Sequence, residues 1–209
     1  MNKKLLLIFI VLLFSTKIYS QIIQTYGLKI GYVNSSQTYT NKVTDDITKR
    51  KSGFSFSAFV DLFNFDGFSI SPEIKYIQKG VGLELIVTGP EGPEPIGKTT
   101  KYIYHDYLSI PISFVYRMQL GAGIPFIKIA PRYDILLSSD DDFNSPASTY
   151  ESYKNVFGGT VSIGFIPNLN FAFNPFIELS YHMDFTDTYS GTNNKIKNNA
   201  VEINLGVQL

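Results

Sequence analysis

The chain of 209 residues contains two histidines, each with an acid close by: Asp106 follows His105, and Asp184 lies two residues after His182. With Ser109 nearby, these are the residue types of a nucleophilic hydrolase, in which a base takes the hydroxyl proton and a carboxylate orients that base. Both pairs are expected near the same loop-side rim of the fold; such chemistry needs the groups in contact, and nothing in the spacing enforces it. Ordinary polar residues bonded to their neighbours are expected, and no catalytic residue is assigned. Asp140-Asp141-Asp142 offers three successive carboxylates to a divalent cation. A hard-cation site needs several convergent oxygens, so a solvated loop is expected instead. Two histidines without a third ligand at useful spacing make no zinc site. Gly158, Gly159 and Gly164 are followed by neither Gly-Lys-Ser/Thr nor a helix start, which removes a phosphate loop. No metal, cofactor-binding or catalytic site is expected.

The elements that would hold these residues are strands. From Tyr107 to Arg117, Leu108, Ile110, Ile112, Phe114 and Tyr116 share one face, opposite Tyr107, Ser109, Pro111, Ser113, Val115 and Arg117. Period-two alternation of this length argues for a strand with one apolar side. Seven more segments alternate in the same way. They begin at Thr25, Gly53, Phe68, Ile127, Phe157, Phe176 and Ala200. Asn64-Phe65-Asp66-Gly67 reads as a tight hairpin turn, since Asp-Gly supplies positive φ angles. Gln119 to Pro125 is a second short turn, and Ile166 to Asn174 a moderate one. Ser35–Lys51, Gly80–Lys101, Ser138–Lys154 and Thr186–Asn199 read as long polar loops, although Leu83 to Val87 could extend the third strand. Pro72, Pro111 and Pro131 fall inside strands, where each removes a ladder hydrogen bond; bulges or local irregularities are expected there.

Met1 to Lys4 is basic and Leu5 to Phe14 apolar, with Ser15 to Ser20 a cleavage region. A run of about ten residues suits a signal peptide, whereas a spanning helix needs about twenty. The reading is a leader over 1–20 and a mature domain over 21–209. The leader holds Lys3, Lys4 and Lys17, so the mature chain carries fifteen basic against eighteen acidic residues. A weakly acidic chain without a basic stripe is a poor nucleic-acid partner. There is no Cys, which excludes disulfides, thiol chemistry and lipoprotein acylation.

Three features favour a membrane barrel over a soluble sandwich or lipocalin. Long and short connections alternate, as they do between extracellular loops and periplasmic turns. Aromatic residues gather near the two ends of the apolar faces: Tyr76, Tyr104, Tyr133, Tyr181 and Phe185 at one, Tyr26, Phe68, Phe114 and Tyr116 at the other. An open strand edge is not tolerated in hydrocarbon, so exported strands of this kind must close into a ring. The expected fold is all-β, an eight-stranded antiparallel up-and-down transmembrane β-barrel. Its inward face would carry Lys29, Lys75, Arg117, Lys128 and Arg132 against Asp61, Glu73, Asp134, Glu178 and Glu202. These charges must pair if buried, and a barrel of this size is just wide enough for side chains to fill. A plugged lumen is expected.

The strand Tyr107-Leu108-x-Ile110-Pro111, the Pro131-x-Tyr133 segment with Leu136-Leu137, the Gly158–Gly164 strand and the apolar last strand together resemble the PorT-like outer-membrane β-barrel family. The resemblance implies a Gram-negative outer-membrane protein with both termini periplasmic and four long loops extracellular. It describes a scaffold and assigns no site. The expected function is a non-enzymatic envelope, surface-interaction or secretion-associated component. Its partners would be outer-membrane lipid and envelope or secretion proteins, without nucleic acid, and the barrel would be monomeric. The alternatives are a rim-site lipid or peptide hydrolase, a narrow channel for small solutes, and a soluble periplasmic binder.

Overall fold

The computed structural model describes residues 22–39, 48–88, 95–141, 154–169, 171–190 and 195–209. The segment read as a leader lies outside them. Along the chain run β1 (Ile23–Tyr39), β2 (Thr48–Phe65), β3 (Phe68–Thr88), β4 (Pro95–Arg117), β5 (Gly123–Asp141), β6 (Val156–Pro167), β7 (Asn174–Asp184), the two-residue β8 (Tyr189–Ser190) and β9 (Lys195–Gln208). Each long strand pairs antiparallel with the next, β7 pairs with β9, and β9 pairs with β1. Eight strands therefore close into a ring, with β8 added beside the start of β9.

The alternation in the sequence becomes an inside and an outside. Ile30, Ile74 and Ile129 are each at least 60% exposed on the outer wall, within a belt that includes Leu28, Phe56, Ile112, Ile163, Leu179 and Leu205. No monomer in water presents such a continuous apolar belt, whereas a barrel facing lipid must. The inner wall holds the buried residues, most of them polar or charged. Phe68 and Tyr116 pair at one rim with ring centroids 4.4 Å apart, near exposed Tyr26 and Phe65. Tyr133, Tyr181 and Phe185 lie exposed toward the other rim. Such girdles suit amphipathic rings at the headgroup level.

One end of the ring is tightly turned. Asp66 and Gly67 both have positive φ, 51° and 88°, the geometry of a two-residue primed turn between right-twisted strands. Leu120 and Gly123 exchange backbone hydrogen bonds at 3.0 Å around the second turn. The other end carries the longer connections. There the strands run further than the alternation indicates: β1 continues to Tyr39, β2 begins at Thr48, β3 reaches Thr88, β4 begins at Pro95, β5 reaches Asp141 and β9 begins at Lys195. The expected long loops are correspondingly shorter. These extensions rise past the apolar belt, so neither face needs to be apolar and the period-two signal disappears from the composition.

The prolines create no bulge, although the expected local irregularity is present: the ladders lapse where Glu73 would pair with Pro111 and Ile112 with Pro131. Pro72 pairs with Ile112 and Pro131 with Gly159, and the register is unchanged across Pro72, Pro111 and Pro131. The register shifts elsewhere: Asp106 pairs with Ser138 but Tyr107 with Leu136, which leaves Leu137 as an extra residue in β5.

Candidate functional site

The lumen is a stack of apolar and ionic layers. Nearest the turn end, Phe59, Val115, Phe126, Ile166 and Phe176 form one buried cluster. The three phenylalanines pack edge to face, with Phe176 centred 5.8 Å from Phe59 and 6.1 Å from Phe126. Each sits directly across from a glycine on the neighbouring strand: Phe59 opposite Gly27, Phe126 opposite Gly164, and Phe176 opposite Gly206. A Cβ at any of these glycines would overlap the facing ring. The missing side chains thus make room for the rings to lie flat on the wall. Toward the loop end, Val33, Ile77, Tyr107, Val156 and Ala200 form a second buried cluster. Many of the ten alternate with polar neighbours on the inward face, so that face is not uniformly polar.

Ion pairs occupy the lumen beside and between these clusters. One row of register partners crosses β1 to β5 through Lys29, Ser57, Lys75, Ser109 and Asp134. Lys29 bridges Glu73 and Glu178 at 2.8 and 3.0 Å. Lys75 reaches Glu202 at 2.7 Å and Glu73 at 3.4 Å, and Lys128 reaches Glu178 at 2.6 Å. Lys128 also lies over the Phe126, Phe59 and Phe176 rings, 4.9, 5.4 and 5.8 Å from their centroids, where ring quadrupoles attract a cation. A second group joins Lys79 and Arg132 to the same two carboxylates, Asp134 and Asp184. A third is the pair Arg117–Asp61 near the turn end, where Thr25 donates to Asp61 at 2.7 Å and Arg117 donates to Ser69 at 2.6 Å.

Each group is neutral: three lysines with three glutamates, two cations with two aspartates, one arginine with one aspartate. All ten charged residues expected in the lumen are there. Lys79 and Asp184 are additional. Lys79 lies beyond the sequence-expected end of its strand, although its odd number continues the inward series of Glu73, Lys75 and Ile77. Local neutrality removes most of the penalty of burying charge in a low-dielectric interior. The space left among Lys29, Glu73, Arg132 and His182 is about 10 Å³, at the threshold for holding one water.

The hydrolase residue types do not converge. His105 is fully buried on the inward face, sharing hydrogen bonds with Gln37 at 3.2 Å and Ser139 at 3.0 Å. Asp106 points outward, as the next residue of a strand must, and accepts from Ser138 at 3.2 Å. His182 is bonded to Thr160 at 2.8 Å and Glu202 at 2.7 Å. Asp184 is engaged by Arg132, Thr188 and the Asn198 amide. Ser109 donates to Asp134 at 2.5 Å rather than to a histidine. Both histidines are lumen residues held by separate networks: His105 lies well inside β4 rather than ahead of that strand, a correction, whereas His182 stands near the end of β7 as expected. Among the described residues no group of three His, Asp or Glu is placed to hold a metal; Asp142 lies outside them.

Beyond the belt, β2, β3 and β4 continue as a three-stranded blade, with Thr48 opposite Leu83 and Thr88 opposite Pro95. Glu84 on its outer face accepts from Lys98 at 2.6 Å and pairs with Lys49 at 3.2 Å. These two ammonium groups, Lys98 first, hold the Glu84 carboxyl below its ordinary range. At the base of the blade Lys51 lies 4.5 Å from the Tyr104 ring centroid.

No curated protein matches the chain. The crystal structure of OprG from Pseudomonas aeruginosa is similar at 12% identity over 90% of this chain and 97% of that one, with a TM-score of 0.53. Identity this low speaks to the fold alone. Neisserial surface protein A aligns at 12% identity over 89% of this chain and 98% of its own, with a TM-score of 0.47. Ail of Yersinia pestis, crystallised with the heparin analogue sucrose octasulfate, aligns at 14% identity over 88% and 98%, with a TM-score of 0.46. The family described as outer membrane protein beta-barrel domain matches residues 19–190. A closed eight-stranded ring, an apolar outer belt and a match over most of the chain agree, and this chain belongs to the outer membrane β-barrel domain family.

Proposed function

We propose that this protein is a sealed, non-enzymatic barrel of PorT-like type that presents its blade of strands to partners as a surface-interaction or secretion-associated component of the envelope. The observation that carries this reading is the lumen. It leaves about 10 Å³ among neutral ion clusters and is closed by a three-ring layer. A water-filled route for solutes needs a wider interior than eight strands give. The separate networks around His105 and His182 support a structural role for both.

In this reading residues 1–20 direct export, 21–209 form the monomeric barrel, both termini are periplasmic and the four longer connections face outward from the cell. The single segregated end of longer connections supports that orientation. Planar-bilayer recording of the purified chain is the decisive experiment. No resolved conductance steps are expected, and steady unitary currents would overturn the sealed barrel.

A further inference from the structure

At the turn end the lumen opens into a blind hollow of about 150 Å³ lined by Gln119, Ile124, Ile166, Asn168, Asn174 and Gln208. Its inner end is stopped by the buried cluster to which Ile166 belongs and against which Ile124 packs. Gln208 is the last inward residue of β9 and only 8% exposed. Its carboxamide has no hydrogen-bond partner among the described residues; the Asn204 carboxamide deeper on the same strand has none either, but it is fully enclosed and does not line this hollow. The Gln208 donors and acceptor reach the accessible space of the hollow, where the polar atoms of a ligand can meet them. Gln119, Asn168 and Asn174 stand exposed around the rim. No charged side chain lines the hollow.

We infer that this turn-end mouth is a binding site for the acetamido group of an N-acetylated amino sugar. An acetamido group carries a methyl for the Ile124–Ile166 floor, a carbonyl to accept from Gln208 and an N–H to donate to it. At about 10–15 Å³ per water on this measure, the hollow of about 150 Å³ has ample room for the four heavy atoms of that group. The pyranose ring then sits at the rim, where three carboxamides hydrogen-bond hydroxyls in either sense. The neutral lining selects against charged ligands. A polypeptide is the weaker fit, because every long strand is paired on both sides in the ring, leaving no edge for strand addition. That wall sugars face this mouth in the cell rests on the orientation proposed above. The binding itself does not, so its failure in vitro overturns the site and leaves the sealed barrel standing.

The test is an NMR titration of the full chain in detergent micelles with N-acetylglucosamine, glucose and tri-alanine. N-acetylglucosamine is expected to saturate with Kd on the order of 1 mM, as suits a ligand of this size, shifting Gln208, Ile124 and Ile166. Glucose is expected to bind at least about tenfold more weakly. Gln208→Leu and Ile124→Phe should each weaken N-acetylglucosamine binding by at least about tenfold while keeping heat-modifiable gel mobility. Equal binding of glucose, no saturation by about 50 mM, or unchanged binding in both variants would overturn the site. Tri-alanine binding more tightly than the sugar would replace the sugar with a polypeptide.

Discussion

Lys128 Nζ lies 2.6 Å from Glu178 Oε2 and, on its other side, 4.9 Å from the centre of the Phe126 ring. One ammonium group therefore joins the ionic layer of the lumen to the aromatic layer. Lys128→Met leaves three glutamates with two lysines in the central cluster, and a buried pair broken from one side costs about 3–5 kcal/mol. Adding Glu178→Gln restores neutrality and should recover part of that loss. Urea unfolding in lipid vesicles of the two single variants and the double variant gives the coupling. Strict additivity of the two losses would contradict the coupling.

The ring-on-glycine arrangement makes a steric prediction. Gly164→Val forces the Phe126 ring off the wall, and overpacking of this kind costs about 1–3 kcal/mol. Phe126→Ala in the same chain should relieve the ring part of the clash but not the approach to the Ile177 carbonyl, so that the double variant loses less than the two separate losses combined. Thermal loss of the fast-migrating folded band on gels would measure it.

Removing the rings alone does not open the barrel. Phe59→Ala, Phe126→Ala and Phe176→Ala each leave the Lys29, Lys75 and Lys128 network in place above them. Each should lose about 3–5 kcal/mol of stability and still show no unitary conductance. A current through any one of them would mean that the aromatic layer is the sole seal.

His182→Ala removes a partner from Glu202 inside the lumen, where an unsatisfied group costs about 1–3 kcal/mol. His105→Ala similarly strips Gln37 and Ser139. Both variants should lower the unfolding midpoint without changing turnover of lipid esters or peptides from background. A hydrolytic rate in the native chain that either substitution abolishes would reinstate a catalytic site.

The blade offers a pH test outside the membrane. The folded-state pKa of Glu84 lies below its ordinary value. Its contact with Lys98 and Lys49 is thus fully present above the ordinary carboxylate pKa and is lost as pH falls through the lowered one. Carbon-detected NMR titration of Glu84 should give a midpoint below that of an exposed glutamate. Lys98→Ala should move it upward, more than Lys49→Ala does, and high salt should have the same sense.

The ring and its ten expected lumen charges were legible because lipid outside and packing inside impose period-two alternation wherever the wall crosses the belt. Asp66-Gly67 was legible for a different reason, since few residue pairs accept positive φ at both turn positions. Most strand extensions were hidden: Ser36–Tyr39 stands where no face is required to be apolar, and only Leu83–Val87 was legible as a continuation of the third strand. His105 was placed too near the rim because β4 begins at Pro95, well before the alternation starts, whereas His182 stands two residues before the end of β7, where the sequence puts it. The carboxamide mouth carries no sequence signal, since Gln119, Asn168, Asn174 and Gln208 meet only when the ring closes.

The span of the lumen contacts along the chain bears on how the barrel assembles. Lys29 meets Glu178 across 149 residues, and Lys75 meets Glu202 across 127. Hairpins formed one at a time neutralise these groups only in part, because Glu73 of β3 serves both Lys29 and Lys75 while the other two acids arrive with the last two long strands. A half-inserted sheet would carry an unbalanced excess of ammonium groups into hydrocarbon, where charge is expensive. Zipping of β1 to β9 therefore coincides with charge cancellation, so the seam acts as a latch that penalises every open precursor and favours a single late, concerted closure.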